Sequence, residues 1–189
     1  MRMHKVMAAA LTGLALVGLA GTASADTGLT WPPQDVTPVH KTKAELEKQA
    51  AEFSERQEKT FPRTFRGAAD VTPGNWGGES EGVFDGMQYM GNVVSFRYRG
   101  EDTQVYTQVN APGEFVDSPE ELCKRDKCVG EFTDHRGGVT VLTEFEPFNI
   151  AAAYNFRPNG EVVWAQAWRA DVYPQLAAVA SDRAYTFTR

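Results

Sequence analysis

The feature that most constrains this chain is a change of period. From Asn92 onward, apolar side chains recur at every second residue rather than every third or fourth. Val94, Phe96 and Tyr98 fall on one side of an extended segment, with Ser95, Arg97 and Arg99 on the other. After a turn at Gly100-Glu101-Asp102, Gln104 to Asn110 runs back with Val105 and Val109 inward, so the pair reads as a hairpin. Val139, Val141, Thr143 and Phe145 alternate with Thr140, Leu142, Glu144 and Glu146, and Ile150 to Phe156 repeats the pattern. Pro158-Asn159-Gly160 is a hairpin turn, after which Val162, Trp164 and Trp168 share a face. Strands that follow one another without intervening helices pair antiparallel.

Two helical signals stand outside this run. Thr42 and Glu45 form a capping box, Leu46, Ala50 and Phe53 repeat at helical spacing, and Pro62 is expected to end the helix. Near the other end, Pro174 starts a short helix with Leu176 and Val179 inward, followed by a closing strand at Tyr185-Thr186-Phe187. A further short helix is expected after Ser118, with Pro119 in its first turn and Glu121 closing a second capping box. Residues 63–92 are rich in Gly, Asn, Asp and Ser and read as a long irregular stretch with one short strand at Val83-Phe84. The expected fold is α+β: a curled antiparallel sheet of five or six strands around the N-terminal helix, with a short C-terminal helix. A small β-barrel is the alternative.

The first residues carry a different pattern. Met1 to Lys5 is basic, Val6 to Ala20 is apolar, and Ala23-Ser24-Ala25 is a small-residue site before Asp26. That order reads as a cleavable export signal over residues 1–25, too short to span a bilayer stably. An uncleaved anchor helix is the alternative. Asp26 stands where a lipoprotein signal needs Cys, and no paired arginines are present. Residues 26–41, with Trp31-Pro32-Pro33, read as an extended lead-in, and residues 42–189 as one globular domain.

Loss of the leader removes Arg2 and Lys5 and takes the net charge from −6 to −8. An acidic chain without a basic cluster argues against nucleic acid and against anionic membrane surfaces as partners. Cys123 and Cys128 are an even count in an exported chain and imply a disulfide. The alternatives are a zinc site with His135, short of ligands, and a redox pair, which more often has two intervening residues. No metal or other cofactor is expected.

Candidate chemistry is sparse. Asp134-His135 precedes a Gly-rich turn and offers a general base, with Ser118 or Ser95 as a nucleophile, but no nucleophile-elbow motif surrounds either serine. Glu144 and Glu146 lie two apart on one strand, within the carboxylate spacing of a glycosidase. Trp76, Trp164 and Trp168 are candidate sugar platforms, though alternation alone also places tryptophans in a core. Asp70, Asn75, Glu79 and Asp85 could form a calcium loop but lack EF-hand spacing. Phosphate-binding and dinucleotide-binding glycine motifs are absent from the sequence.

The export signal and single cysteine pair give the chain the general look of a small bacterial secreted protein, with no motif that names a family. The leading expectation is a secreted, non-enzymatic binding or interaction protein. Its partner would be an extracellular protein, a glycan, or a small apolar ligand under the sheet. The alternatives are an extracellular hydrolase acting on envelope polysaccharide or peptide, and a protease-inhibitor-like module presenting the Cys123–Cys128 loop.

Overall fold

The computed structural model describes residues 29–78 and 88–188. The export signal expected over residues 1–25, the strand expected at Val83-Phe84, and Glu79 and Asp85 lie outside these residues. Helix α1 (Lys43–Thr64) is followed by β1 (Ala69–Pro73), β2 (Gly77–Gly78), β3 (Tyr89–Tyr98) and β4 (Glu101–Asn110). Then come α2 (Pro119–Arg125), β5 (Lys127–Thr133), β6 (Val139–Phe145), β7 (Ile150–Phe156), β8 (Val162–Ala167) and α3 (Tyr173–Ala180). The strands form one antiparallel sheet in the order β1-β3-β4-β8-β7-β6-β5, with β2 also paired to β3. The fold is α+β, as expected. The sheet has eight strands rather than five or six. It is not closed into a barrel, because β1 and β5 are its edges.

The extra strands have physical causes. Strand β5 escapes an alternation test because its register with β6 shifts between Cys128 and Gly130. Such a bulge breaks the period of two. Strand β1 is likewise irregular, with Asp70 at φ 57° between its paired residues Ala69 and Thr72. The β3–β4 turn is tighter than expected, since Tyr98 pairs directly with Glu101. Arg99 and Gly100, at φ 54° and 84°, make the two-residue loop favoured by hairpin twist.

Helix α1 starts at the expected capping box, where Thr42 accepts from the Glu45 N–H and the Glu45 carboxylate accepts from the Thr42 N–H. It runs past Pro62 to Thr64. Burial of Phe61 and Phe65, which meet Phe96 edge-on and tilted, holds the last turn on the sheet despite the proline. One face of the sheet carries α1 over β1 and β3 and α3 over β7 and β8. Alanines at 151, 153, 165 and 167 lie on the α3 side, and their small size lets that helix sit close. Two of the polar side chains in this core pair with each other. Gln57 and Asn92 exchange amide hydrogen bonds at 2.8 and 2.7 Å.

The other face is also partly covered. Leu122 of α2, Phe115, Leu29 and Trp31 pack on Val139, Val141, Tyr154 and Phe156. Trp31 meets Phe156 edge-on at 4.9 Å. The lead-in then runs past the sheet end, where Val36 sits against Gly113 and Gly160, and Val39 reaches the helix-side core. Strand β7 is therefore buried on both faces after Ile150, which explains its apolar run from Ile150 to Tyr154, and the buried Asn155 that follows donates to Thr140 Oγ1 at 2.9 Å.

The C-terminal segment forms no closing strand. Instead it is held by a buried ion pair between Arg157 and Glu161, 1% exposed each and 3.2 Å apart. Arg157 also donates to the carbonyls of Tyr185 and, at 3.1 Å, Asp182. Glu161 accepts from Thr186 Oγ1 and the Phe187 N–H, both at 2.7 Å. Burial pushes the Glu161 carboxyl up, but the Thr186 hydrogen bond, the Arg157 charge and the Phe187 N–H bring it below its ordinary value.

Removing one partner of such a pair strands the other in the core. Arg157→Ala is expected to cost about 3–5 kcal/mol in urea unfolding and to make residues 181–188 sensitive to protease. The pH dependence follows from the lowered Glu161 pKa. Its contribution is full above the unfolded carboxylate value of about 4.3 and is lost as pH falls through the lower folded value. Glu161→Gln should be less stable at neutral pH and should show a shallower acid loss, read as the urea midpoint against pH.

Candidate functional site

Among the described residues, the half of the outer face away from α2 and the lead-in carries no covering segment. Register places Ser95 opposite Gln104 and Arg97 opposite Asp102, all pointing outward. The β4–β8 ladder ends at Val105 and Ala167, so Trp168 follows beside Gln104 on the same side. These residues, with Asp70 of β1 and Arg169, line a cleft of about 740 Å³. Trp168 forms part of its wall and is 54% exposed.

Arg169 fixes this corner. Its guanidinium bonds the Asp171 carboxylate at 2.6 and 2.9 Å and reaches Glu101 at 3.4 Å and Thr103 Oγ1 at 3.3 Å. It lies over the Tyr98 ring at 5.3 Å. The hydrogen bond to Asp171 raises the Arg169 pKa, and the same bond lowers that of Asp171. Ser95 Oγ accepts from the Gln104 amide at 3.3 Å. Arg97 makes no ion pair within 4 Å among the described residues.

Toward the covered half, an aromatic stack spans three strands. Tyr106 of β4 tilts on Trp164 of β8 at 4.9 Å, and Trp164 stacks on Tyr154 of β7 at 5.5 Å. The Tyr106 hydroxyl donates to Gln108, Gln108 to Asn110, and Asn110 to the Val162 carbonyl, at 2.7, 2.6 and 3.0 Å. Burial raises the pKa of both Tyr106 and Tyr154. Gly91 makes this possible, since a Cβ there would fall 2.4 Å from the Tyr106 hydroxyl.

The candidate residues separate in space. Trp168 is exposed in the cleft, and Trp164 is half-buried in the stack. Trp76 lies on the opposite side of the sheet, against Phe53 at 5.2 Å, with its indole N–H donated to Ser54 at 3.1 Å. Glu144 and Glu146 are both bound to the Lys127 ammonium, Glu144 at 3.3 Å. Its hydrogen bonds to Glu146 and then to Glu144 raise the Lys127 pKa. Beside them Tyr173 is pushed up to about 12, first by burial and then by the Glu144 charge.

His135 sits exposed in the β5–β6 turn and accepts from Arg136 Nε at 3.3 Å. Its neighbouring acid is occupied elsewhere. Asp134 accepts from the Arg136 and Gly138 N–H groups at 2.7 and 3.0 Å and from Arg183 at 2.5 Å. Burial raises the Asp134 pKa, but these three donors prevail and lower it. Ser118 caps α2, accepting from the Glu121 N–H at 3.2 Å. Cys123 and Cys128 form a disulfide joining the end of α2 to β5, with Cα atoms 5.1 Å apart. Asn75 is exposed between β1 and β2, while Asp70 lies in the cleft. Among the described residues no three His, Cys, Asp or Glu side chains gather as a metal site.

Sequence reading did not single out Arg97, Asp102, Gln104 or Arg169. The available signal was that β4 alternates inward valine and threonine with outward Gln104, Tyr106 and Gln108, amides and an aromatic where a plain solvent face would carry Lys and Glu. No family model, curated protein or solved structure matches this chain.

The two tryptophans of β8 and its end should behave oppositely. Trp164→Ala removes a packed ring and is expected to cost about 3 kcal/mol. Trp168→Ala should stay within about 0.5 kcal/mol of the parent. Denaturant unfolding of the two variants measures both.

Proposed function

We propose that the protein is secreted and works as a non-enzymatic binding protein whose ligand sits in the outer-face cleft at Trp168. The single observation that carries this reading is the exposed indole held beside Arg97, Asp102 and Gln104. A large aromatic kept half in water, with polar groups converging around it, is the usual make-up of a recognition surface. The helix-side face is filled by α1 and α3, which favours a ligand outside the sheet over an apolar one beneath it.

The other readings draw less support. A hydrolase would need Glu144 and Glu146 facing a substrate, and both are tied to Lys127. His135 has no carboxylate partner among the described residues, since Asp134 serves the turn and Arg183. An inhibitor presents an extended loop, whereas Cys123 to Arg125 is helical here.

Secretion rests on the leader pattern together with the disulfide. Protein recovered from culture medium is expected to begin at Asp26 and to resist thiol alkylation until reduced, as read by intact mass. The mature chain is expected to be retained by an envelope fraction, and Trp168→Ala to weaken that retention at least tenfold, on the order of an interface anchor. Retention unchanged by Trp168→Ala would remove the cleft from consideration.

A further inference from the structure

We infer that the ligand of this cleft is a neutral glycan, one sugar ring lying on the Trp168 indole and its hydroxyls bonded by Arg97, Asp102 and Gln104. The inference rests on the binding reading above and names its ligand class. A sugar ring has an apolar face of C–H groups and a rim of hydroxyls that both donate and accept. The cleft offers the matching parts: one exposed indole, a carboxylate that only accepts, a guanidinium that only donates, and an amide that does both. Carboxylate and guanidinium each present two coplanar atoms, the geometry that bridges neighbouring hydroxyls.

Charge excludes the anionic classes. The Arg169 charge is already matched by Asp171 and Glu101. Arg97 is the cation left, and the ladder flanks it with Asp102 on β4 and Asp70 beside it on β1. The acids of the cleft outnumber its bases, and the whole chain is at −6. A uronate or phosphate polymer would meet repulsion here.

Backbone pairing disfavours an added peptide strand. Strand β3 is hydrogen-bonded on both sides at Ser95. The margin of β4 beyond its pairing with β8 is crossed by the Arg169 side chain, which bonds Thr103 and Glu101. Among the described residues, β3 and β4, the strands that carry Arg97, Asp102 and Gln104, thus offer no open edge for an extended peptide to join.

The surface also continues. From Gln104, the outward positions of β4 and β8 are Tyr106, Gln108, Gln166 and Trp164, none of them charged. Alternate positions on a strand repeat about every 6.6 Å. This strip of amides and aromatic rings leads away from Trp168, so a glycan of several units would be held more tightly than a single sugar.

The test uses the full mature chain. Intrinsic fluorescence and calorimetric titration would follow neutral glucan and mannan oligosaccharides of increasing length. A uronate oligosaccharide, a polyphosphate and a basic peptide complete the panel. The expected result is saturable binding to a neutral oligosaccharide, tighter with length and little changed by 0.5 M salt, as uncharged contacts require on the order of the screening at that strength. Trp168→Ala should weaken it at least tenfold, while Phe148→Ala, an exposed aromatic outside the cleft, should not. Failure of every neutral oligosaccharide to bind, or binding that survives Trp168→Ala, overturns the inference. Trp168-dependent binding of the uronate, polyphosphate or peptide overturns the glycan and leaves the cleft reading standing. If envelope retention is also indifferent to Trp168→Ala, both fall.

Discussion

Arg157 and Glu161 are the interaction on which the rest of the molecule turns. They flank the β7–β8 turn in the middle of the sheet, and neither reaches water. A charge pair in such a place is weak evidence of net stability, because desolvation offsets most of the attraction. Its value lies in what it orders. Arg157 takes carbonyls from Tyr185, Asp182 and Asn155's side chain, and Glu161 takes the donors of Thr186 and Phe187. The segment after α3, which has no strand partner, thereby satisfies its backbone on two side chains. Asp182 then passes the connection to Arg56 of α1 at 2.8 Å, and Gln49 of α1 donates to the Thr186 carbonyl. First helix, last helix and central hairpin are joined through one charged residue pair.

The same turn organises the other end of the chain. Gly160, at φ 84°, has Val36 at 3.0 Å from where a Cβ would stand. The lead-in can cross the sheet end only because that side chain is missing. It approaches from the outer face, where Leu29 and Trp31 lie on Phe156, and leaves toward the helix-side core through Val39. Together with α2, pinned by the disulfide, it covers the outer surface of β6 and β7. Among the described residues, the outer surface of β3, β4 and the end of β8 receives no such cover. The cleft thus arises from unequal covering of a sheet whose helix-side face is filled.

How legible this was depended on what carried each signal. Capping boxes at Thr42 and Ser118 are local chemistry, and both appear where the sequence places them. The strands of β3, β4, β6, β7 and β8 announce themselves through a period of two. Strand β5 does not, because its bulge resets the period, and β1 does not, because Asp70 breaks it. Arg157 could not be read at all: an arginine beside Pro-Asn-Gly looks like the rim of an exposed turn, and only the returning C-terminal segment buries it. The three tryptophans show the same limit. Trp76, Trp164 and Trp168 are equivalent in sequence, yet one packs half-buried against the helix-side core, one stacks between tyrosines, and one faces water. Glu144 and Glu146 have the right spacing for joint chemistry, but Lys127 comes from a strand that alternation could not find.

The exposure of Trp168 is itself a product of fixed neighbours. An indole at a strand end would gain free energy by folding back over apolar surface, at about 25 cal/mol for each Å² removed from water. The next residue prevents this. Arg169 is bound to Asp171, Glu101 and Thr103 and lies over Tyr98, with Arg99 joined to the same Asp171 at 2.7 Å and over the same ring at 5.0 Å. The backbone at Trp168 is held on one side by this network and on the other by the Val105–Ala167 pairing. Fixing the backbone beneath an exposed ring lowers the ordering cost that a ligand covering it must meet.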